Sequence, residues 1–388
     1  MKNLFLAAAL TAAAIAPAGA AGTQGVTKTE IKIGTYTDLS GVTAMWGVNN
    51  SDAWRMVFDA ANAKGGVNGR KIHYIVEDNQ YQVPLSIQAE NKLLNADHVF
   101  IEVANGGTPM NNATMPMQIA AGVPNVFPLT SARSMYTPFN PMKFALGSSY
   151  YDQVRAGIKY FVTHEHKSHV CIAAQDTDFG KDIVDGVTAE LAALHLKLTA
   201  ETRFQPTAMD FSADVAKLHA AKCDLIVFGT IVRDTIQMIS AVRKTGWNVT
   251  MMGQAASYDS AVASAPGGIT NGFYSVTPML FVAPNDPRPA VKAFVAAFHK
   301  LYGKDPNFAA QIGYTGAEVV LAALRNAGPN LTTASFIHGL EAVHGYKDIF
   351  GSPPLTFGPH KHQGSNESFL CVVKNGVWVP LLKQPITY

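Results

Sequence analysis

The chain has 388 residues, too many for one domain of ordinary size and suited to two. Hydrophobic residues make up 48% and charged residues 15%, a balance that builds packed cores and excludes an intrinsically disordered chain. Formal net charge is +2 with no dense Lys/Arg cluster, which argues against nucleic acid as the main partner.

The N-terminus has the pattern of a secretory signal over residues 1–20. Lys2 supplies charge, Leu4–Ile15 an apolar run, and Ala18-Gly19-Ala20 a small-residue cleavage site. The apolar run is short for a bilayer span, no lipid-anchoring cysteine follows it, and no later segment is apolar enough to cross a membrane. The expectation is an exported chain with no membrane insertion. Cys171, Cys223 and Cys371 form no CxxC pair, so a zinc or redox motif is unsupported. Cys171 and Cys223 lie in apolar runs and read as buried thiols rather than ligands; an oxidising compartment also permits a disulfide between two of the three.

The first predicted strand is Glu30–Thr35, with Ile31 and Ile33 alternating, and Asp38-Leu39-Ser40-Gly41 is the loop at its end. Trp46 is placed just before a helix that runs to about Ala63 and carries Ala53, Trp54, Val57, Phe58 and Ala61 on one face. Gly65-Gly66 stops it, and Asn68-Gly69 turns into a strand over Lys71–Glu77. Pro84 opens a second helix with Leu85, Ile87, Leu93 and Leu94 inward.

The stretch from Phe100 to Ser134 organises the rest. Phe100–Ala104 reads as a short buried strand, and Asn105-Gly106-Gly107 as a turn that lets the backbone approach a neighbour closely. Thr108 is expected to cap the next helix, with Pro109 at its first position. Gly122-Val123-Pro124 leads to another strand and the polar loop Leu129-Thr130-Ser131. Ligands of open α/β sheets bind beyond the carboxyl ends of the strands, so the two loops are expected to form one wall of a small-molecule site. Spacing alone would equally allow two ordinary turns.

Near Gly147 the rhythm restarts: a helix over Tyr151–Thr163, a strand over His169–Ala174, the loop Gln175–Gly180 and a helix from Lys181. Leu225–Phe228 is a strand, followed by Gly229-Thr230-Ile231 and a helix through Val242; Val249–Met252 is another strand, with the loop Gly253–Asp259 after it. Helices follow over Ala290–Tyr302, with Val291, Phe294, Val295, Phe298 and Leu301 in register, over Ala310–Asn326, and from Ser335. The tail turns to strands at Leu355–Phe357, Phe369–Val373 and Val377–Val379, the last two flanking an Asn375-Gly376 hairpin signal. Strand–helix alternation means parallel sheets covered on both faces, and two such runs mean two lobes. Helices late in the chain and strands at its end point to crossovers between them.

No GxSxG, P-loop, GxGxxG or HExxH occurs, and no nucleophile–base pair is visible. His164-Glu165-His166 and His360-Lys361-His362 sit in polar stretches without further ligands nearby, so a metal site is disfavoured. Asp176 and Asp178 are expected to cap the following helix or pair with Lys181. Trp46, Thr108, Thr130, Ser131, Tyr150, Tyr151, Phe179 and Tyr258 collect at strand ends. Each alone fits core packing; together they describe a cleft with apolar walls and a few polar groups, the usual make-up of a small-ligand site.

The order and spacing of IKIGTYTDLSG (31–41) with Trp46-Gly47, DAANAKGGVNGRKI (59–72), the NGGT loop, AGVPNVFPLTS (121–131), DTDFGKD (176–182), CDLIVFGT (223–230) and MMGQAASYD (251–259) carry a resemblance. The mature chain resembles the type I periplasmic solute-binding proteins of the branched-chain amino acid (Leu/Ile/Val) class of ABC transporters. This implies an α/β fold of two lobes, each a mainly parallel sheet flanked by helices, with three crossovers near Ser148, Pro278 and Pro354. The implied lobes are 29–148 plus 279–354 and 149–278 plus 355–388. It further implies a periplasmic, monomeric carrier that closes on a small carboxylate and is read by a permease, with no enzymatic activity, cofactor or metal.

Carried over residue by residue, Gly107 and Thr108 match the loop that holds the ligand carboxylate, with Asn105 beside them. Leu129 matches a backbone contact and Ser131 a hydroxyl contact, with Thr130 between. Trp46 stands where the family has an aromatic lid, and Phe179 and Ile231 where tyrosines are common. Ala255 falls where amino-acid binders carry a carboxylate for the ligand's ammonium, Tyr150 near a second acidic position, and Tyr258 follows in the same loop. Arg133 or Arg233 would add charge if either reached the ligand. Without that acid the pocket suits an apolar, aromatic carboxylic acid of benzoate or cinnamate type. The alternatives are a binder of branched-chain or other hydrophobic amino acids, or a ligand sensor of the same fold.

Overall fold

The computed structural model describes residues 23–283 and 285–388; the predicted signal lies outside them. The first half runs β1 (Glu30–Thr37), α1 (Ala44–Ala63), β2 (Lys71–Asp78), α2 (Val83–Lys92), β3 (Ile101–Val103), α3 (Thr108–Ala120), β4 (Asn125–Val126) and β5 (Lys143–Phe144). These strands form a parallel five-stranded sheet in the order β2-β1-β3-β4-β5. The expected face of α1 is buried, but Trp46 falls inside this helix rather than before it. On α2 the expected inward Ile87 is exposed, and the buried face is Ser86, Ala89 and Glu90. A polar cluster draws that face in: Gln118 of α3 donates to both Glu90 and Glu102.

The second half continues α4 (Tyr150–Glu165), β6 (Val170–Gln175), α5 (Asp178–Ala193), β7 (Ala200–Phe204), α6 (Ser212–Ala220), β8 (Leu225–Gly229), α7 (Val232–Lys244), β9 (Thr250–Gln254), α8 (Ser260–Ala263) and β10 (Tyr274–Thr277). The helices α9 (Pro289–Tyr302), α10 (Phe308–Ala327) and α11 (Thr333–Glu341) follow, then β11 (Phe369–Lys374) and β12 (Val377–Pro380). The second sheet has seven strands in the order β12-β11-β10-β9-β8-β6-β7, parallel except that β11 runs antiparallel to both of its neighbours, β10 and β12. Sequence reasoning missed β7 and β10. Edge strand β7 buries just Thr202 and Phe204 firmly, and three of the four β10 residues carry hydroxyls, so neither has a strong apolar pattern.

The late helices return to the first sheet, where α10 packs along α1 and against α11. Gly313 and Gly316 permit that approach, since a Cβ there would meet the Asn50 carbonyl at 2.7 Å and the Trp54 ring at 2.8 Å. In α9, Leu301 is exposed while Val291, Phe294 and Phe298 are buried. The terminal hairpin forms as expected, with Asn375 and Gly376 both at positive φ. Cys171 and Cys223 are joined in a disulfide, and Cys371 is a buried free thiol. Of the two states the sequence left open for Cys171 and Cys223, buried thiols or a disulfide, the structure has the disulfide. It follows from β6 and β8 being hydrogen-bonded neighbours, which brings the two Cα atoms to 5.8 Å.

Candidate functional site

The carboxyl ends of both sheets face one cavity. Its floor is the start of α3, where Gly107 is the cap residue at φ +90°. A Cβ at Gly107 would meet Met110 Sδ at 2.7 Å and the Tyr81 ring at 3.0 Å, so only glycine fits. Thr108 and Pro109 are therefore the first and second helical residues, one place later than the cap assignment expected. The Thr108 hydroxyl is freed from capping and meets the Thr130 hydroxyl at 2.7 Å. The Leu129 amide donates to the Asn105 carbonyl at 2.9 Å, and a further bridge joins Gly106 to Leu129. The two loops are thus laced together beneath a helix N-terminus, whose first amides have no partner inside the helix.

Trp46, Gly107, Thr108, Leu129, Thr130, Ser131, Tyr150, Phe179, Ile231 and Ala255 all line this cavity, which spans about 1280 Å³ of non-atom space including its open mouth. Two predicted residues do not. Asn105 is buried behind the loop, accepting from the Tyr36 amide at 3.2 Å and donating to Glu102 at 2.7 Å, so it braces the turn. Tyr258 is core: its ring lies between Phe308 and Trp378, and its hydroxyl accepts from the Phe281 amide at 3.1 Å. Both arginines are also turned away. Arg133 faces Asp182 and Asp185 and lies 4.2 Å above the Tyr151 ring, while Arg233 pairs with Asp234 at 2.7 Å.

The acids of the DTDFGKD loop have roles other than those expected. Thr177 caps α5, Asp176 accepts from Gln205, and Lys181 pairs with Asp185. Asp178 accepts from Asn112 of α3 at 2.9 Å, a bond that reaches across the cleft between the two sheets' helices. His362 is buried, stacked 3.7 Å from Phe144 and bonded to the Lys143 carbonyl. Among the described residues no group of three or more metal-ligating side chains comes together.

Sequence reasoning missed Thr37, Tyr81, Tyr136 and the inner end of the cavity. That end draws on three connecting segments, through Ala145–Ser149, Pro278 and Met279, and Ser352, Leu355 and Ser365, together with Ile312 and Thr315 of α10. No local pattern marks these residues; only the crossing of the chain brings them together. Thr37 ends β1, the position at which the other loops were read as binding loops, and that signal went unused. Its hydroxyl is buried with no hydrogen-bond partner, alone among the described cavity-lining side chains.

The lining is electrically bland. Among the described residues it contains no Asp, Glu, Lys, Arg or His. Burial pushes the phenols of Tyr81, Tyr136 and Tyr150 above their ordinary range, so they stay neutral. What remains is apolar walls, hydroxyls and main-chain amides.

Two laced βα loops facing a second α/β lobe across a cleft define a solute-binding protein of the two-lobed periplasmic kind. The periplasmic binding protein family matches residues 30–377, and the chain belongs to it. The leucine-specific-binding protein of Salmonella typhimurium is 24% identical over 295 residues, covering 73% of this chain and 75% of that one. A substrate-binding periplasmic protein from Ralstonia solanacearum superposes with a TM-score of 0.80 at 25% identity, over 90% of this chain and 99% of that one. A branched-chain amino acid ABC transporter protein from Thermus thermophilus with bound valine superposes with a TM-score of 0.83 at 17% identity, over 95% and 97% of the two chains.

Proposed function

We propose that the chain is the extracytoplasmic substrate-binding protein of an ABC importer and captures a small apolar or aromatic carboxylic acid, of benzoate or cinnamate type, in the cleft between its lobes. The proposed lobes are 29–148 plus 279–354 and 149–278 plus 355–388, with residues 1–20 removed on export and the monomer handed to a permease. The observation that carries the choice of ligand is the absence of any acidic side chain from the described lining. A buried ammonium with no counter-charge costs several kcal/mol, so an α-amino acid is poorly served. A carboxylate is well served by the first amides of α3, the positive end of the helix dipole, and the hydroxyls of Thr108, Thr130 and Ser131. Phe179, Ile231 and Trp46 supply apolar walls.

Calorimetric titration with leucine, benzoate and 4-hydroxycinnamate tests this. An aromatic acid is expected to bind and leucine to give no heat; tight leucine binding without response to either acid overturns the reading. The second reading, a branched-chain or other hydrophobic amino acid, is favoured by the relatives' names. It requires the ammonium to be held by carbonyls and hydroxyls alone.

A further inference from the structure

We propose that the inner end of the cavity is a second recognition point, which accepts a hydrogen bond from a donor at the far end of the ligand from its carboxylate. This rests on the acid-binding reading of the same cavity and narrows it from apolar aromatic acids to those with a distal hydroxyl.

Asp348 stands behind this end of the cavity and is held by five hydrogen bonds. Its Oδ1 accepts the amides of Phe350 at 3.0 Å, Gly351 at 2.8 Å and Ser352 at 3.0 Å. Its Oδ2 accepts the hydroxyls of Thr315, at 3.3 Å, and of Ser352. Thr315 and Ser352 are the donors in these bonds, so both hydroxyl hydrogens are committed to Asp348. Each hydroxyl has one hydrogen, which leaves Thr315 and Ser352 able to offer lone pairs alone to whatever lies in the cavity they line. Thr315 is buried one helical turn from Ile312 on the same face of α10, so its position is set by the α1–α10 packing. Apart from the hydroxyl of Ser365, the neighbouring walls are apolar: Leu146, Met279, Ile312 and Leu355.

A ligand group placed there meets the lone pairs of Thr315 and Ser352 between largely apolar walls. A phenolic hydroxyl satisfies them, an aromatic C–H leaves them unpaired, and an ether oxygen sets lone pair against lone pair. Sites built to bond a ligand hydroxyl discriminate against analogues that lack it, because their own buried groups then go unpaired.

The test is a calorimetric series on the mature protein with cinnamate, 4-hydroxycinnamate and 4-methoxycinnamate. The hydroxylated acid is expected to bind about tenfold more tightly than either of the others, the effect of one net hydrogen bond. In Thr315→Val that preference falls to within about twofold, and Thr315→Ser, which restores the hydroxyl, recovers it. Equal binding of cinnamate and 4-hydroxycinnamate sinks the distal contact while leaving acid binding intact. Equal binding of the hydroxy and methoxy acids, or an unchanged preference in both Thr315→Val and Ser352→Ala, overturns it too. If none of the three acids binds and leucine does, both readings fall together. The comparison among ligands in the unaltered protein decides the matter even where a variant folds poorly.

Discussion

Ala255 is the residue on which the choice of ligand turns. Its amide is already held by Gln153 at 2.9 Å, and its side chain adds only a methyl to the wall. Ala255→Asp would place a negative charge in a cavity that lacks one. Binding of the aromatic acid is expected to fall by tenfold or more, roughly the effect of one like charge in a partly dry site. Leucine is expected to gain measurable affinity, since its ammonium would then find a counter-charge. Titration of the variant with both ligands checks this, and unchanged selectivity would show that the methyl does not face the ligand's amine position. Much of the cavity lining was legible at this scale, because Gly107, Thr108, Leu129, Thr130 and Ser131 follow strand ends within two short windows. Asn105 and Tyr258 lie in those same kinds of loop, yet one braces the turn from behind and the other packs into the core. Side-chain direction within an irregular loop has no period, so composition could not separate them.

Among elements, the α2–β3–α3 layer behind the binding loop shows a polar cluster where an apolar face was expected. Glu90 and Glu102 are both buried, and Gln118 donates to each. Burial and the neighbouring Glu102 raise the pKa of Glu90, so it keeps its proton at neutral pH and acts as a neutral hydrogen-bonding group. Glu90→Gln should therefore change stability by less than about 1 kcal/mol, whereas Glu90→Ala should cost about 2–3 kcal/mol by opening a cavity and stranding its partners. Urea unfolding at pH 7 measures both, and equal losses would contradict a protonated Glu90. Asn105 donates to Glu102 and belongs to this cluster, which ties the ligand loop to the layer beneath it. The periodicity of α2 was readable, but its burial only in part: Leu93 and Leu94 just past its end are buried as expected, and Ile87 is exposed. A glutamate points inward only when the fold supplies partners, here a glutamine 28 residues further on.

At the level of the whole molecule, side chains of one lobe bond to the other. Arg133 lies beyond β4 of the first sheet, and its amide donates to Asp182 of α5 at 3.2 Å. The guanidinium also faces Asp182 and Asp185. Burial outweighs Arg133 and raises the Asp182 carboxyl from 3.8 to about 6. The folded chain therefore holds a proton that the unfolded chain has lost, and stability contributed by Asp182 is present below pH 3.8 and lost as pH rises to about 6. Asp182→Asn removes this slope. The melting stability of the variant relative to the parent should climb from pH 4 to pH 7, by up to roughly 3 kcal/mol, and then level off. A difference that is flat across that range would mean Asp182 titrates normally.

The sequence by itself determined two α/β runs, the glycine-rich turn that precedes α3, the terminal hairpin and the hydroxyl residues that follow the strands. Each is written in residues a few positions apart, where backbone sterics and hydrophobic period act without help from the rest of the chain. Only the tertiary structure decided that Cys171 meets Cys223, that both arginines turn away, and that Thr315 and Ser352 share Asp348 at the inner end of the cavity. Those pairings join segments that become neighbours only through strand order and chain crossings. Their geometry depends on how two sheets and the helices between them pack, which no local window of sequence contains.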